Sequence, residues 1–120
     1  MRKNKKTLII AEIGVNHNGK LSIAKKLIKK ASEAKADIVK FQIFKPENLA
    51  TPHAKKASYQ IGKKEKLISK QIDMLKKFEF SYKKFLEITK FCKKLKIEFC
   101  ASCFDIESLN LFKKLKTKRI

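Results

Sequence analysis

The sequence predicts an α/β fold built on a parallel β-sheet, and two features of the pattern indicate it. Short apolar segments alternate with longer segments whose apolar residues recur at helical spacing, as in strands joined by amphipathic helices. Each apolar segment also becomes polar toward its carboxyl end. Alternating strands and helices favour parallel strands with right-handed crossovers, and parallel α/β folds place their active sites at the carboxyl ends of the strands.

The first half of the chain contains two predicted strands and one predicted helix. Residues 8–13 form a short apolar run bounded by Gly14 and an Asn-Gly pair, which predicts a buried strand. The apolar residues between Leu21 and Ala31 fall on one face of a helix, with lysines opposite. Residues 37–44, DIVKFQIF, give the second strand. The long insert that follows, residues 45–79, is predicted to hold a helix near residues 65–78, and connections of this length are commonly functional.

The second half repeats the alternation. Helical spacing returns over residues 82–95, where Ser81 is placed to cap the amino end. Residues 97–102 predict a third strand, and Asp105 is placed to cap a helix that runs to Leu115. The closing Lys-Arg-Ile, which ends at Ile120, is predicted to open a fourth strand. The predicted order is therefore β-α-β, the insert, and then α-β-α-β.

The charge of the chain raises the question of an anionic partner. The net charge is +20, from 31 basic and 11 acidic residues, and such an excess is typical of proteins that bind nucleic acid. Arg2 and Arg119 are the only arginines, however, and arginine dominates specific recognition of bases and phosphates. The lysines recur in pairs along the whole chain, as on the solvated faces of successive helices. A lysine-biased composition is the favoured interpretation, and a lysine-rich nucleic-acid-binding module stays as the alternative.

Cysteine usage and hydropathy exclude several classes. The chain has an odd number of cysteines, namely Cys92, Cys100 and Cys103. An odd number argues against a disulfide framework. The Cys-x-x-Cys pair lacks the second ligand pair of a structural zinc site, so we expect small core residues. No apolar run approaches the roughly 18 residues that span a bilayer, and the basic start MRKNKK is not followed by a secretory cleavage site. The sequence therefore predicts a cytoplasmic protein that does not bind membranes.

Polar side chains share one face of the predicted sheet. Glu12 and Lys40 each have an ordinary explanation taken alone, as a carboxylate at the rim in water and as a lysine that extends to solvent. Alternate residues of a strand point to the same face, however, and the same gradient from apolar to polar appears in all three strands. It favours a site for a small anionic ligand, whose carboxylate or phosphate Lys40 would pair. The three sets are Leu8, Ile10 and Glu12; Ile38, Lys40 and Gln42; and Cys100 and Ser102.

Two histidines are candidates for further site residues. His17 lies in the loop after the first strand, which should face the same end of the sheet. A single histidine there favours a hydrogen-bonding role over metal ligation. His53, beside Pro52 in the insert, carries no comparable signal.

Three segments carry a resemblance to a known family. They are IIAEIGVNHNG, DIVKFQIFKPENL and SYKKFLEITKFCKKLKIEFCASCFD, and together they closely resemble the N-terminal part of the N-acetylneuraminate synthase family. This family contains the sialic acid synthases and their relatives that make legionaminic and other nonulosonic acids. The resemblance spans residues 7–120, and the end of the insert, QIDMLKKFEFSY, is most similar to the legionaminic acid synthase-like branch.

The resemblance implies a fold and a reaction. The fold would be a (β/α)₈ TIM barrel, of which this chain would hold about the first three βα units. The reaction would condense phosphoenolpyruvate with the open-chain aldehyde of an N-acylated hexose, such as N-acetylmannosamine or a diacetamido-trideoxyhexose, and release phosphate. A divalent metal, Mn²⁺ or Mg²⁺, would polarise the aldehyde. The full-length protein would be a homodimer that binds no nucleic acid. Another phosphoenolpyruvate-condensing aldolase on the same barrel stays as an alternative.

The resemblance also implies roles for individual residues. Glu12 matches the active-site glutamate near the reacting carbons, Lys40 the lysine that binds the phosphoenolpyruvate carboxylate, and Gln42 a glutamine that contacts the sugar. Ser102 matches a threonine of an STPFD-like segment, written ASCFD here, so the hydroxyl is kept while the proline is lost.

Chain length is the main departure from the family. A (β/α)₈ barrel needs about 250 residues, against 120 here. We therefore expect the metal ligands, the remaining phosphate-binding residues and the antifreeze-like C-terminal domain to lie beyond Ile120. The chain, residues 1–120, would be the N-terminal part of the catalytic domain, as a piece of a longer protein or the product of an interrupted gene, and would be inactive alone.

Overall fold

The computed structural model describes residues 6–49 and 71–120. Three parallel strands form one sheet in the order β1-β2-β3, as the alternating pattern predicts. The strands are β1 (Ile10–Gly14), β2 (Ile38–Ile43) and β3 (Glu98–Cys103). The helices are α1 (Leu21–Glu33), α2 (Pro46–Leu49), α3 (Tyr82–Lys94) and α4 (Ile106–Lys114).

The insert between β2 and α3 is described only in part. Residues 71–78 are helical, which confirms that portion of the helix predicted near residues 65–78. The short helix α2, immediately after β2, is not predicted by the sequence pattern. Residues 65–70 and His53 lie outside the described residues.

One pair of residues supports the predicted opening of a fourth strand. Cys100 in β3 forms an isolated parallel bridge with Arg119, so the chain returns to the sheet beside β3. Ile120, the last residue of the predicted strand opening, is not itself paired, and its side chain is 64 % exposed. The sheet therefore grows in the order in which its strands appear in the sequence, as it does in a barrel of βα units.

The core lies between the sheet and the helices. One set of alternate strand residues, which includes Val39, Phe41 and Phe99, is buried against Ile28 of α1 and Phe85 of α3. Aromatic rings dominate the contact, since the Phe41 ring lies 5.5 Å from that of Phe99 and 6.4 Å from that of Phe85. Aromatic pairs at these separations add to the stability gained from burying apolar area.

The first cysteine of the chain lies in the same core. Cys92 of α3 is a free thiol and only 1 % exposed. This position is the one expected of a small core residue.

The caps predicted from the sequence are formed in the second half of the chain. The Ser81 hydroxyl accepts a hydrogen bond from the backbone N–H of Lys84, and an Asp105 carboxylate oxygen accepts one from that of Ser108. Each cap pairs a backbone donor that the first turn of a helix leaves without a partner. In the described part of the chain, every helix is too short or too polar to cross a membrane.

Candidate active site

The face of the sheet that is turned away from the helices carries the predicted polar residues. Cα pairing places Glu12 opposite Lys40 between β1 and β2, and Gln42 opposite Ser102 between β2 and β3. Gln42 and Ser102 each lie one residue before the end of their strand. The structure therefore brings together four of the five predicted site residues on one surface near the carboxyl ends of the strands.

An ion pair lies at the centre of this surface. The Lys40 ammonium is 2.7 Å from a Glu12 carboxylate oxygen, and the two side chains are 35 % and 47 % exposed. The hydrogen bond and the negative charge of Glu12 raise the pKa of Lys40 above its ordinary value. Lys40 is therefore held as an ammonium, a form suited to pairing an anion and unsuited to taking a proton as a base.

The side chains of Glu12 and Gln42 both lie close to Gly14. Its φ of +55° lies in the left-handed region, and the register between β1 and β2 shifts between Glu12 and Gly14. A Cβ added at Gly14 would lie 3.5 Å from a Glu12 carboxylate oxygen and 3.7 Å from the Gln42 amide nitrogen. The carboxylate and the amide thus border the same space at the end of β1.

The structure places His17 elsewhere. Its ring is 1 % exposed and stacks between Phe80, at a centroid distance of 4.0 Å, and Phe41, at 6.0 Å. Phe41 belongs to the helix-covered side of the sheet, so His17 is not brought to the surface that carries Glu12 and Lys40. Its substrate-binding role stays a prediction that this position does not support.

The protonation state of His17 follows from these surroundings. Burial, and then the nearby charge of Lys84, lower the pKa of His17 to about 4, so the ring is neutral near pH 7. Its Nδ1 accepts a hydrogen bond of 3.0 Å from the backbone N–H of Gly19. The predicted hydrogen-bonding histidine therefore bonds within its own loop.

Two contacts that sequence patterns did not reveal hold the loops around the site. The Lys45 ammonium lies 3.0 Å from the Glu79 carboxylate and joins the two ends of the insert. Asp105, predicted only as a helix cap, also accepts a hydrogen bond of 2.9 Å from the backbone N–H of Lys45. The opposite charges at the two boundaries of the insert were a signal that could have indicated the first contact.

The described residues do not form a metal centre. Within residues 6–49 and 71–120, no three His, Cys, Asp or Glu residues lie close enough together to hold an ion. Cys100 and Cys103 are free, and burial raises the pKa of both thiols, that of Cys103 to about 11. They are therefore protonated near pH 7 and lack the thiolate needed for ligation or redox attack.

Ile120, beyond which the metal ligands are expected, is not itself a site residue. Its side chain is a hydrocarbon that offers no donor atom to a metal, and it is exposed rather than directed into the core. The pairing of its neighbour Arg119 with Cys100 brings this end of the sequence to the side of β3. The expectation that the metal ligands follow Ile120 stays a prediction.

The lysine–carboxylate pair and the neighbouring amide and hydroxyl groups lie toward the carboxyl ends of parallel strands, which is where α/β barrels place their sites. Residues 27–120 match the model of the NeuB family. The chain belongs to the NeuB family.

Two curated relatives show the branch of the family. The chain is 47 % identical over 114 residues to N,N'-diacetyllegionaminic acid synthase of Campylobacter jejuni, a match that covers 95 % of this chain and 34 % of the relative. It is 41 % identical over 112 residues to the synthase of the same name from Legionella pneumophila, over 93 % of this chain and 31 % of the relative. These matches confirm the resemblance to the legionaminic acid synthase-like branch. The chain spans about a third of the length of these relatives.

Solved structures confirm the fold class. The N-acetylneuraminic acid (sialic acid) synthetase of Leptospira borgpetersenii, in complex with citrate, superposes with a TM-score of 0.77 at 31 % identity, over 95 % of this chain and 35 % of that chain. The spore coat polysaccharide biosynthesis protein SpsE of Bacillus subtilis has a TM-score of 0.68 at 27 % identity, over 96 % and 28 % of the two chains. The described βα units are those of a (β/α)₈ TIM barrel.

Proposed function

We propose that this chain supplies the amino-terminal part of the active site of a nonulosonic acid synthase, which condenses phosphoenolpyruvate with an N-acylated hexose and releases phosphate. Two observations support the proposal. The chain shares 47 % identity with a legionaminic acid synthase over nearly its whole length, and its strand ends bring Lys40 and Glu12 to 2.7 Å of each other. The acceptor is an N-acylated hexose of the diacetamido-trideoxy type, in keeping with the names of both relatives.

Lys40 is proposed to bind the carboxylate of phosphoenolpyruvate. Its raised pKa keeps the side chain charged, and about a third of it is open to an incoming ligand. An ammonium has three donors, so Lys40 can donate to an incoming carboxylate while it keeps its hydrogen bond to Glu12. Glu12 then stays beside the reacting carbons as a negative charge that can accept a proton or orient the acceptor.

Gln42 and Ser102 are proposed to orient the sugar acceptor. They are paired across β2 and β3, next to the strand ends, and offer an amide and a hydroxyl to the same space. Groups held on strands keep their positions better than groups on loops. This arrangement suits a polyhydroxylated acceptor that needs several weak, directional contacts.

A divalent metal, Mn²⁺ or Mg²⁺, is part of the proposal through the family resemblance alone. It would polarise the acceptor aldehyde. The described residues do not fit such an ion, so its ligands would lie in other parts of the protein, beyond Ile120, and the residues of this chain would carry no step that uses the metal. The homodimer and the cytoplasmic location stay predictions.

A chimera tests the proposal. Residues 7–120 would replace the matching segment of the Campylobacter jejuni relative, so that the remaining two thirds come from the relative. The chimera should release phosphate when given phosphoenolpyruvate, Mn²⁺ and a diacetamido-trideoxyhexose, and N-acetylmannosamine would be compared as the acceptor. A folded chimera that neither turns over nor binds phosphoenolpyruvate in a calorimetric titration would contradict the proposal. Tight binding of DNA or RNA with a steep salt dependence would favour the nucleic-acid-binding alternative.

A further inference from the structure

A cavity lies between the carboxyl end of α3 and the segment that follows α4. It encloses about 310 Å³ at the start of β3, so it lies at the opposite end of that strand from Ser102. Its apolar lining comes from Cys92, Ile97 and Phe99, all of them buried. Burial raises the pKa of the Cys92 thiol to about 12, so the wall contributes no negative charge near pH 7.

Four lysines line the same cavity: Lys93, Lys96, Lys116 and Lys118. Backbone geometry brings two of them there, because Lys96 and Lys116 have φ of +57° and +52° and directly follow Leu95 and Leu115, the residues that cap the carboxyl ends of α3 and α4. Lysines also complement the negative end of a helix dipole. That effect accounts for Lys93 in the last turn of α3, and it falls off within a turn, so it does not account for Lys118.

The carboxylate that lies near these lysines already forms an ion pair with another residue. Glu98 is the one acidic residue in the lining, and its carboxylate lies 2.7 Å from the Arg119 guanidinium. In the described part of the chain, none of the four lysines forms an ion pair with a carboxylate. Several other lysines do, such as Lys25 with Glu87. The cavity is therefore a local excess of positive charge.

A polar atom without a partner marks the same place. The Thr117 hydroxyl oxygen is buried and has no hydrogen-bond partner among the described residues, and Thr117 lines the cavity. Leaving a buried hydroxyl unpaired costs about 1–3 kcal/mol, and a ligand oxygen in the cavity would provide the missing acceptor. Lysine side chains are long and flexible enough to bring their ammonium groups over such a ligand.

We propose that this cavity is a binding site for a small phosphate-type oxyanion, separate from the candidate active site. Lys93, Lys96, Lys116 and Lys118 supply the positive charge, and the Thr117 hydroxyl donates a directed hydrogen bond. The apolar wall limits competing water and so strengthens the electrostatic attraction. Because the cavity lies at the start of β3 and Ser102 near its carboxyl end, its occupancy does not depend on the proposed reaction.

Inorganic phosphate is the probe. The 120-residue chain would be titrated with phosphate at a constant low ionic strength set by sodium chloride, where its charge of +20 should keep it monomeric, and backbone amide shifts would be followed by NMR. We expect saturable shifts concentrated at residues 96–98 and 116–118. The double variant Lys93→Gln/Lys118→Gln should bind phosphate about fivefold more weakly, since each exposed charge contact contributes modestly.

Two comparisons make the result specific. The variant Lys29→Gln/Lys83→Gln removes the same charge away from the cavity and should bind phosphate as the parent does. Thr117→Val keeps the shape and removes the hydroxyl, so it should weaken phosphate binding while leaving the stability of the free chain equal or higher. Shifts spread over all lysine-rich helices, equal losses in the two double variants, or the absence of saturation would each overturn the proposal.

Discussion

At the scale of single residues, Lys40 is defined by one contact, the 2.7 Å ion pair with Glu12. In the chimera described above, Lys40→Ala should lower kcat/KM by at least about a hundredfold, because the ligand carboxylate loses its cation. Lys40→Arg should restore only part of the activity, since a planar guanidinium does not reproduce a compact ammonium. Steady-state phosphate release measures both variants. Near-normal turnover of the alanine variant would remove Lys40 from the site.

His17 provides a second prediction, for stability. The pKa of His17 in the folded protein is about 4, against an ordinary value of 6.5, so folding favours the neutral ring. This contribution is fully present above pH 6.5 and is lost as the pH falls toward 4. The protein should therefore lose about 2 kcal/mol between pH 7 and pH 5 through this residue. Urea unfolding of the protein and of His17→Gln measures the effect.

The comparison between the two proteins isolates the histidine. Carboxylates titrate in both, whereas only the parent carries the buried imidazole. The slope of stability against pH should be smaller for His17→Gln over this interval. Identical slopes would mean that His17 is solvated and can ionise freely in the folded state.

His17 also shows what the sequence could not predict at this scale. Strand alternation placed Glu12, Lys40, Gln42 and Ser102 correctly on one face, because a period of two fixes the side of a sheet. A loop residue has no such period. The side of the sheet on which His17 lies depends on Phe80, which is distant in sequence and directly follows the insert.

At the scale of secondary-structure elements, the loop after β1 and the end of the insert are in very close contact. Gly19 has φ of +72°, and a Cβ added there would lie 1.8 Å from the carbonyl oxygen of Lys77. Gly19→Ala should therefore destabilise the fold by at least about 2 kcal/mol, since backbone strain and a backbone clash add. Gly14→Ala is the matched control, because φ there is also positive but the nearest atoms lie at 3.5 Å and 3.7 Å.

Thermal or chemical unfolding of the two glycine variants tests this contact. Gly14→Ala should lose only about 1 kcal/mol, the cost of the left-handed conformation. Equal losses would show that the end of the insert does not pack against Gly19.

Asp105 joins two elements of the fold, so replacing it should destabilise the protein more than replacing an ordinary helix cap does. Burial alone would raise the pKa of Asp105, but the backbone N–H groups of Ser108 and Lys45 donate hydrogen bonds that lower it overall. Asp105→Ala frees both donors and should cost about 2 kcal/mol, whereas Ser81→Ala frees only that of Lys84 and should cost about 1 kcal/mol or less. Urea unfolding curves compare them. A smaller loss for Asp105→Ala would exclude the link to Lys45.

The order of the elements was predictable because helical and strand periods differ clearly in this chain. The first residue of β1 was harder to predict, because Leu8 and Ile9, which precede the strand, are as apolar as the strand itself. Pairing begins at Ile10 with Ile38, and the Ile9 carbonyl instead accepts hydrogen bonds from the backbone N–H groups of Asp37 and Ile38. Apolar composition gives no information on where a neighbouring strand begins.

At the scale of the whole molecule, helices cover one face of the sheet and leave the other partly open. Leu8 and Ile10 are 46 % and 52 % exposed on the open side. Ile38 and Cys100 belong to the same face but are buried. Ile38 lies on the central strand between Ile10 and Glu98, and Cys100 of β3 lies between Lys40 and Arg119, so neighbours on both sides shield each of them. The apolar surface left to solvent on this face is therefore concentrated at the β1 edge.

The polypeptide of 120 residues should consequently be catalytically silent and should self-associate. Three strands and the start of a fourth cannot close a barrel, and a parallel sheet covered on one side only is unfavourable in water. The charge of +20 should keep the chain monomeric at low salt, and association should increase with salt as the repulsion is screened. Sedimentation velocity over a range of concentrations and salt measures association, and a phosphate-release assay measures activity.

Variants identify the surface responsible. Ile10→Lys places a charge on the exposed β1 edge and should reduce association, because unpaired strand edges that carry charge resist pairing. Ile106→Lys alters a side chain that is more exposed, at 72 %, but lies on α4, and it should leave association unchanged. Equal effects of the two variants would show that association is non-specific. A monomer that stays folded at high salt and turns over substrate would mean that the open face needs no further strands.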